Sequence, residues 1–373
     1  MAQRHHPTWS TSFRDRASLP GTSPLAAYLL HLITIKKSNL CVSADVSTTS
    51  ELLALAEEVG DSICLLKTHA DIINDFSDRT VRGLRDIAKR KRFLVFEDRK
   101  LGDIGSTVQK QYTSGPLSIA KWAEIVNAHI FPGPAIVSAL KAAASSAIAD
   151  YNTKVHTEVT AGSPCSSTNH EDEEMHDDSV KAGEGSLCTE SSEGARDLRK
   201  ASVVSVSTTI TSKTEPISPQ PTPYIEMGDT QGAPVDVFAG LGTPPYLRAL
   251  LLLAEMSSEG NLLTGPYTEM CVATARQHRD FVMGFIAQRS LNSEPDDNFI
   301  TMTPGVSLPP PGQPAVTGDG LGQQYNSPEY VILEKGCDVI IVGRGIIKSE
   351  NRHREAERYR EAAWDAYQKR IAS

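Results

Sequence analysis

The chain has 373 residues, of which 39% are hydrophobic and 22% charged, with a formal net charge of −9 at pH 7. No run of 18 or more apolar residues occurs, so no membrane span is predicted, and the acidic balance argues against a nucleic-acid binder held by bulk charge. Six cysteines without a C-x-x-C pair favour a reduced, intracellular and cytoplasmic protein over a secreted disulfide scaffold.

The first 22 residues lack the hydrophobic periodicity of a helix or a strand. Pro7, Asp15 and Pro20 interrupt the amphipathic helix that a transit peptide would need. We therefore predict that residues 1–22 form a flexible tail. The apolar segment Leu25–Ile35 is too short to cross a membrane and is predicted to be the first amphipathic helix.

Eight apolar segments rich in β-branched residues predict buried strands. They are Leu40–Val46, Ile63–His69, Phe93–Lys100, Ile125–Ile130, Leu250–Met256, Val282–Gln288, Phe299–Thr303 and Asp338–Gly343. Helical patterns lie between or after them, at Ser50–Val59, Thr80–Lys91, Leu117–Ala123, Pro134–Ala149, Thr268–Arg276, Ser327–Lys335 and Glu350–Arg370. Buried strands that alternate with helices in this way are typical of a single α/β domain, the (β/α)8 TIM barrel, rather than of a doubly wound sheet.

Residues 149–235 differ in composition from the rest of the chain. The 80 residues from Tyr151 to Thr230 hold 23 Ser and Thr residues, and 14 acidic against 6 basic side chains give them −8 of the total charge of −9. Such a segment buries too little apolar surface to offset its ordering entropy, so we predict a disordered, acidic, low-complexity insertion. It falls between the fourth helix and the fifth strand of the barrel, and residues 23–148 and 236–373 form the two halves of that barrel.

Charged side chains lie at the ends of the first three predicted strands. In a (β/α)8 barrel the chemistry takes place at the carboxyl ends of the strands, where Asp45, Lys67, Asp98 and Lys100 are found. Side chains alternate along a strand, so Asp98 and Lys100 share one face and are predicted to point into the barrel mouth. Charges of alternating sign keep one another ionised. Asp103 follows close by, near the start of the next helix.

The last two strands are followed by glycine-rich segments that suit an anion. Gly305 follows the seventh strand, and Gly343 and Arg344 follow the eighth. These two loops commonly bind phosphate in (β/α)8 barrels, because glycines let backbone N–H groups approach and an arginine binds two oxygens at once. The long loop that begins at Gly305 is predicted to be a lid, with Gln323 and Tyr325 at its end within reach of a bound phosphate or base.

Several segments together resemble the orotidine 5′-phosphate decarboxylase family. The most characteristic one is Phe96–Thr107, with the sequence FEDRKLGDIGST. Supporting segments are Cys41–Val46, Leu65–His69, Leu253–Ser258, Gly284–Arg289, Met302–Val306, Leu321–Tyr325 and Ile341–Gly345. They occur in order along nearly the whole chain outside the tail and the insertion. The resemblance is to the filamentous-fungal branch, some members of which carry a long insertion at this point.

The resemblance implies a homodimer with shared active sites that converts orotidine 5′-phosphate to uridine 5′-phosphate (UMP), the last step of de novo UMP synthesis, without a metal ion or cofactor. It implies a charged network of Lys67, Asp98 and Lys100 that is completed by Asp103 of the partner subunit. In this network Lys100 donates the proton to C6 of the pyrimidine.

The resemblance also implies a set of substrate-binding residues, which are Asp45, Thr107, Ser257, Gln323, Tyr325, Gly343 and Arg344. Asp45 binds ribose hydroxyls, as does Thr107 from the other subunit. Ser257 contacts the pyrimidine, and Gln323 bridges base and phosphate. The remaining three lie at the phosphate.

Five positions depart from the family pattern without removing a charged catalytic group. Leu101 and Gly102 replace a bulky aromatic and a larger apolar residue, Ser106 stands where Asn is common, and Glu259 and Pro266 also replace more usual side chains. Gly102 is expected to loosen the loop that positions Asp103 and so to reduce turnover.

Two other enzymatic functions and one non-enzymatic function remain open. A phosphosugar aldolase on the same barrel would use Lys67 or Lys100 as a Schiff-base amine, but neighbouring aspartates favour the ammonium form over the neutral amine. A metal-dependent relative would need a cluster of histidines and carboxylates, and His69 and His129 are too isolated in the sequence to predict one. A nucleotide-binding scaffold without turnover is the non-enzymatic alternative, although the intact charged network speaks against it.

Overall fold

The structure, a computed structural model, describes residues 5–162, 203–212, 238, 240–309 and 324–373. Two compact units are present, one formed by Met1–Tyr151 with Thr214–Ser373 and a smaller one by Asn152–Lys213. No helix in these described ranges has both the length and the apolar character needed to cross a bilayer.

Eight parallel strands of the larger unit close into a barrel, as predicted. The barrel strands are β1 (Leu40–Ala44), β2 (Leu65–Thr68), β3 (Leu94–Leu101), β4 (Ile125–Ala128), β7 (Ala249–Leu253), β8 (Val282–Ile286), β9 (Ile300–Thr303) and β10 (Val339–Val342). Between β4 and β7 in the chain, β5 (Thr153–Gly162) and β6 (Val203–Ser212) belong to the smaller unit. The order around the barrel is β1-β10-β9-β8-β7-β4-β3-β2, so that β1 pairs with both β2 and β10. Each barrel strand overlaps one of the eight predicted segments.

Helices follow most barrel strands in the sequence. They are α1 (Phe13–Ala17), α2 (Pro24–Lys36), α3 (Thr49–Val59), α4 (Asp78–Lys91), α5 (Gly105–Thr113), α6 (Ala135–Asn152), α7 (Pro266–Gln277), α8 (Arg344–Ile347) and α9 (Arg352–Ala372), and Tyr330–Glu334 forms a π-helical turn. Side-chain caps fix several helix starts. Thr48 and Glu51 form a reciprocal capping box at the start of α3.

The helix after β3 was predicted at the wrong place. The structure has α5 at Gly105–Thr113, whereas the predicted segment Leu117–Ala123 contains only the short 3₁₀ turn Ile119–Lys121. The helix ends before Gly115, which has φ of +70°, and Pro116 disfavours a continued helix through this point. Ile119 and Ala120 are fully buried, so their apolar character reflects packing of a turn rather than of a helix.

Helix α1 (Phe13–Ala17) is packed against the barrel, which differs from the flexible tail predicted for residues 1–22. Phe13 is fully buried and stacks on Tyr367 of α9 with ring centroids 4.0 Å apart. Arg16 is 1% exposed and forms a salt bridge of 2.5 Å with Asp338, just before β10. These partners lie more than 300 residues away in the sequence, so no local pattern could reveal them.

The insertion lies between the fourth barrel helix, α6, and the fifth barrel strand, β7, as predicted. Within the range predicted to be disordered, β5 and β6 pair in an antiparallel ladder from Thr153↔Ser212 to Gly162↔Val203. Both strands are rich in Val and Thr, residues that favour extended backbone. Most of the predicted disordered segment, including its acidic run, lies outside the described residues.

Candidate active site

Three charged side chains meet at the carboxyl ends of β2 and β3. These strands are neighbours in register, with Lys67 opposite Phe96, so Lys67 and Asp98 leave the barrel wall side by side. Lys67 Nζ lies 2.5 Å from Asp98 Oδ2, and Lys100 Nζ lies 2.8 Å from Asp98 Oδ1. The Asp98 carboxylate is thus held between two ammonium groups, as the alternation of strand side chains predicted.

The electrostatics of this cluster favour its charged forms. Burial alone would raise the pKa of Asp98, but the positive charges of Lys67 and Lys100 hold that pKa below its usual value. Burial acts against the charge of Lys67 as well, yet the carboxylates of Asp98 and Asp45 raise its pKa. The barrel mouth therefore holds an ionised Asp98 beside a protonated Lys67.

His69 belongs to the same cluster, although the sequence suggested that it was isolated. Its Nε2 atom lies 3.1 Å from Lys67 Nζ, from which it accepts a hydrogen bond, and 3.4 Å and 3.6 Å from carboxylate oxygens of Asp98 and Asp45. Burial and the nearby Lys67 charge lower the pKa of His69, so its ring is neutral near pH 7. The spacing Lys67-x-His69 at a strand end was the available signal.

Asn127 at the end of β4 is a second residue of the cluster that was not predicted from the sequence. Its side-chain Nδ2 donates to Asp98 Oδ1 at 2.6 Å, and its Oδ1 accepts the backbone N–H of Lys100 at 2.7 Å. Asn127 is fully buried. Asn127 is the polar residue in the otherwise apolar strand segment IVNA, and this exception was the available sign that it has a specific role.

The backbone of β3 is irregular where it carries Lys100. The pairing of β3 with β4 shifts between Glu97 and Leu101, and Lys100 has φ of +51°. For a residue with a side chain this left-handed conformation costs about 1 kcal/mol or more, and the hydrogen bond to Asn127 helps to hold it. The alternation of side chains along a regular strand predicted correctly that Lys100 lies beside Asp98. In the structure, however, an irregularity in β3 sets the position of Lys100.

Glu97 lies on the other side of β3 and ties it to the end of β2. Its carboxyl group accepts a hydrogen bond from Thr68 Oγ1 at 2.6 Å and another from the backbone N–H of Ala70 at 3.0 Å. Burial raises the pKa of Glu97 to about 8. Thr68 and Ala70 flank His69 in the chain, so Glu97 anchors the segment that carries the imidazole and follows Lys67.

Asp45 stands at the end of β1, beside the phosphate-binding segment predicted after β10. Its Oδ1 accepts a hydrogen bond from Ser43 Oγ at 2.6 Å, and its side chain is 44% exposed. A Cβ atom at Gly343 would lie 3.1 Å from Asp45 Oδ2. The glycine therefore allows this close approach and leaves the carboxylate open to a ligand.

The predicted phosphate residues converge from two directions. Arg344 begins α8, and its Cζ atom lies 5.7 Å from the centre of the Tyr325 ring. The carbonyl oxygen of Ser257, after β7, accepts a hydrogen bond from the backbone N–H of Gln324 at 3.2 Å. Ser257, Tyr325 and Arg344 are thus assembled near the ends of different strands, whereas Gln323 lies outside the described residues.

Asp103 and Thr107 are not part of this cluster within one chain. Asp103 accepts hydrogen bonds from the backbone N–H of Ile104 and from Gln111 Nε2, at 2.8 and 3.2 Å, and Thr107 is exposed. Next to Asp103, a Cβ atom at Gly102 would lie 2.9 Å from the ring of Phe131. Gly102 therefore leaves room for the Phe131 ring. This contact was not predicted from the sequence, where Gly102 was expected only to loosen the loop.

A metal site is not apparent in these parts of the chain. No group of three or more His, Cys, Asp or Glu side chains within the described ranges is arranged to hold a metal ion. Where His69, Asp45 and Asp98 approach one another, the Lys67 ammonium group lies among them. The arrangement presents one buried carboxylate, two ammonium groups and a neutral imidazole to a ligand in the barrel mouth.

The fold and the site can be compared with known proteins. Residues 38–359 match the family described as orotidine 5′-phosphate decarboxylase / HUMPS. The chain is 48% identical over 363 residues to an orotidine 5′-phosphate decarboxylase of Aureobasidium pullulans, which covers 97% of this chain and 95% of that one. It is 45% identical over 380 residues to the enzyme of the same name from Hypocrea atroviridis, covering 98% and 99%.

A longer protein is also similar. The chain is 39% identical over 361 residues to a uridine 5′-monophosphate synthase of Bos taurus, with 97% of this chain but 53% of that protein covered. The family match and the fungal relatives each span most of this chain, and they confirm the resemblance carried by the segment around Asp98. The chain belongs to the orotidine 5′-phosphate decarboxylase / HUMPS family.

Proposed function

We propose that this protein decarboxylates orotidine 5′-phosphate to UMP. The observation that carries the proposal is the alternating array of Lys67, Asp98 and Lys100, assembled from adjacent strand ends in a member of this family. The fungal relatives named for this activity align along nearly the whole chain.

The chemical problem is the charge left behind when CO₂ departs. The bond between C6 and the carboxylate breaks with its electron pair remaining on C6, and a proton from Lys100 Nζ then forms the new C6–H bond. The neutral lysine regains its proton from solvent. Fixed cations at the position where negative charge develops lower the barrier more than mobile water does, because they need no reorganisation during the reaction. Lys100 is already oriented by Asp98 and by its strained backbone.

The rest of the substrate is held at separate points of the barrel mouth. We assign Asp45 to the ribose hydroxyls, Ser257 to the pyrimidine, and the segment at Gly343 and Arg344 with Tyr325 to the phosphate, while Gln323 bridges base and phosphate. The exposed guanidinium of Arg344 and the open carboxylate of Asp45 support these roles. Phosphate binding far from C6 supplies binding energy that orients the reacting end.

We further propose a homodimer in which Asp103 and Thr107 serve the active site of the other subunit. Within its own chain Asp103 accepts hydrogen bonds from the backbone N–H of Ile104 and from Gln111 Nε2, which lie outside the Lys67, Asp98 and Lys100 cluster. Two large apolar side chains near it are exposed, Ile104 by 60% and Phe131 by 66%. Exposed apolar surface beside a carboxylate that its own site does not use suits a subunit interface.

The geometry does not favour an aldolase. A Schiff-base lysine must lose its proton before it attacks a carbonyl, whereas the pKa of Lys67 is raised by Asp98 and Asp45 despite burial. The only other lysine in the cluster, within the described residues, donates to Asp98 as well.

The test is to add orotidine 5′-phosphate to the purified chain and follow the loss of its ultraviolet absorbance, with and without a chelator. We expect the same rate in both arms and UMP as the product. In parallel, borohydride treatment in the presence of phosphosugars should trap no adduct. No absorbance change, a chelator-sensitive rate or a trapped adduct would each contradict the proposal.

A further inference from the structure

A cavity of about 550 Å³ lies at the end of the barrel opposite to the active site. We call it the amino-terminal cavity, and its lining includes Tyr28, Arg85, Arg92, Glu124, Tyr246 and Arg248. The walls come from α2, from α4 and from the segments that lead into β3, β4 and β7. The proposed chemistry uses the carboxyl ends of the strands, so this cavity is separate from it. Its volume falls in the range of small-molecule sites.

One wall is a row of cations on α4. Arg82, Arg85 and Lys89 are spaced three and four residues apart, which places them on one face of α4, and Arg92 follows directly after the helix. All four line the cavity, and the first three are exposed. In the ranges of the chain that the structure describes, Arg82, Arg85 and Lys89 form no salt bridge. The row from Arg82 to Lys89 extends along about 10 Å of helix.

A second cationic wall is fixed and buried. Arg248 is 6% exposed, and it donates hydrogen bonds to the carbonyl oxygens of Ala120 and Leu247 at 2.6 and 2.8 Å. Its guanidinium lies 4.3 Å from the centre of the Tyr246 ring. Arg92, where α4 ends with φ of +54°, donates to the carbonyl oxygen of Gly242 at 3.1 Å.

Two acidic side chains also line the cavity, but they are too few to neutralise the positive charges of the basic side chains. Asp86 is exposed on α4. Glu124 accepts the backbone N–H of Val95 at 2.9 Å, and burial raises its pKa. Five basic side chains therefore face two acidic ones in the lining, and the cavity attracts anions.

The same cavity offers flat aromatic surfaces. Tyr246 stacks on Tyr151 with ring centroids 3.6 Å apart, and Tyr28 and Phe93 contribute to the lining. Aromatic rings and guanidinium planes are the groups on which nucleic-acid bases stack in proteins. A ligand with both an aromatic ring and several negative charges would use both kinds of wall.

We propose that the amino-terminal cavity binds a nucleoside triphosphate, with the phosphates along Arg82, Arg85 and Lys89 and the base against the stack formed by Tyr151, Tyr246 and Arg248. Three cations spread over this length of helix suit an extended polyphosphate better than a single phosphate group. This site is distinct from the one assigned to orotidine 5′-phosphate, and its occupancy does not depend on the decarboxylation.

The test is isothermal titration of the full chain with UTP, CTP and ATP, each in the presence of a chelator, and with inorganic tripolyphosphate and uridine as partial ligands. We expect saturable binding of at least one triphosphate, at least tenfold weaker binding of tripolyphosphate, and no measurable binding of uridine. Absence of saturable triphosphate binding would overturn the proposal. Equal affinity for tripolyphosphate would overturn the assignment to a nucleotide.

Variants locate the binding on the protein. Arg85→Ala combined with Lys89→Ala should weaken triphosphate binding at least tenfold and leave decarboxylation of orotidine 5′-phosphate unchanged. Arg79→Ala combined with Arg90→Ala removes the same charge from α4 outside the cavity lining and should change the affinity less than twofold. Equal losses in both double variants would show binding by bulk charge and would overturn the site. Thermal melting verifies that both double variants are folded.

Discussion

Asp98 and Lys67 form a 2.5 Å ion pair at the carboxyl ends of β2 and β3, with side chains only 8% and 11% exposed. At that depth the pair is stable because each charge compensates the other and further hydrogen bonds satisfy the remaining oxygen. Removing one charge from such a buried pair lowers the free energy of unfolding far more than removing one from a surface pair, because the remaining charge stays buried without its counterion.

Asp98→Asn is therefore expected to reduce both stability and activity. The loss of the carboxylate leaves two lysines in repulsion, and the free energy of unfolding should fall by about 3 kcal/mol or more. Urea denaturation and the absorbance assay measure the two effects. Asp61→Asn, which breaks an exposed 2.6 Å pair with Lys91, serves as the control and should cost less than about 1 kcal/mol. Equal costs for both variants would show that the Asp98 cluster is not energetically buried.

Lys100→Ala should remove turnover while UMP still binds. The lost group is the proposed proton donor, so kcat should fall by at least about 10³-fold, whereas the phosphate and ribose contacts lie elsewhere. Steady-state kinetics and calorimetric binding of UMP separate these effects. Lys110→Ala, which removes an exposed lysine on α5, is the matched control. A Lys100→Ala enzyme with near-normal kcat would rule out the proton-donor assignment.

Shared active sites predict complementation between two inactive chains. When Lys100→Ala and Asp103→Ala subunits are mixed and exchanged, half of the dimers are hybrids with one intact site, so activity should recover to about a quarter of the wild-type level. Differently tagged subunits allow the exchange to be verified before the assay. Verified hybrids without activity would contradict a contribution of Asp103 across the interface.

The buried carboxyl of Glu97 predicts a specific pH dependence of stability. Its pKa is about 8 in the folded protein, against 4.5 for an ordinary glutamate, so the folded state holds the proton more tightly. The contribution of this group is complete below pH 4.5 and is lost as the pH rises through about 8. Relative to Glu97→Gln, wild-type stability should decline between pH 5 and 9.

Chemical denaturation of both proteins across that range measures the difference. Glu57→Gln is the control, because Arg90 lowers the pKa of this exposed glutamate and no decline is expected above pH 5. A constant difference between wild type and Glu97→Gln would show that Glu97 does not titrate in this window.

The anchoring of the first helix predicts that Arg16→Ala destabilises the whole barrel. Arg16 donates to Asp338, to Asn298 and to the carbonyl oxygen of Phe299 while fully enclosed, so its loss should cost about 3 kcal/mol. The exposed neighbour Arg14 gives the matched variant Arg14→Ala, with an expected cost below about 1 kcal/mol. Denaturant unfolding curves of the two variants and the wild type measure these differences in the free energy of unfolding. If both variants unfold at the same denaturant concentration, the segment contributes no stability.

The sequence predicted the features that depend on local patterns. Each barrel strand contains a short run rich in apolar residues, and the charges of Lys67, Asp98 and Lys100 stand out because they lie at the carboxyl ends of two such runs. The left-handed backbone of Lys100, its support by Asn127 and the burial of Arg16 against Asp338 depend on partners distant in the chain. The residues around Lys100 and Arg16 carry no pattern that identifies those partners, so these contacts could not be predicted from the sequence.

The pairing of β1 with β10, in which Leu40 lies opposite Ile340, has a consequence for how the protein is made. During synthesis on the ribosome one edge of β1 stays unpaired until β10, some 300 residues further along the chain, has been made. Synthesis of these residues takes about 15–60 s at ordinary rates. Throughout this interval a short apolar strand has an unpaired edge, the kind of surface that recruits other strands. Barrel closure is therefore a late event in the life of the nascent chain, and a chain truncated before β10 never reaches it.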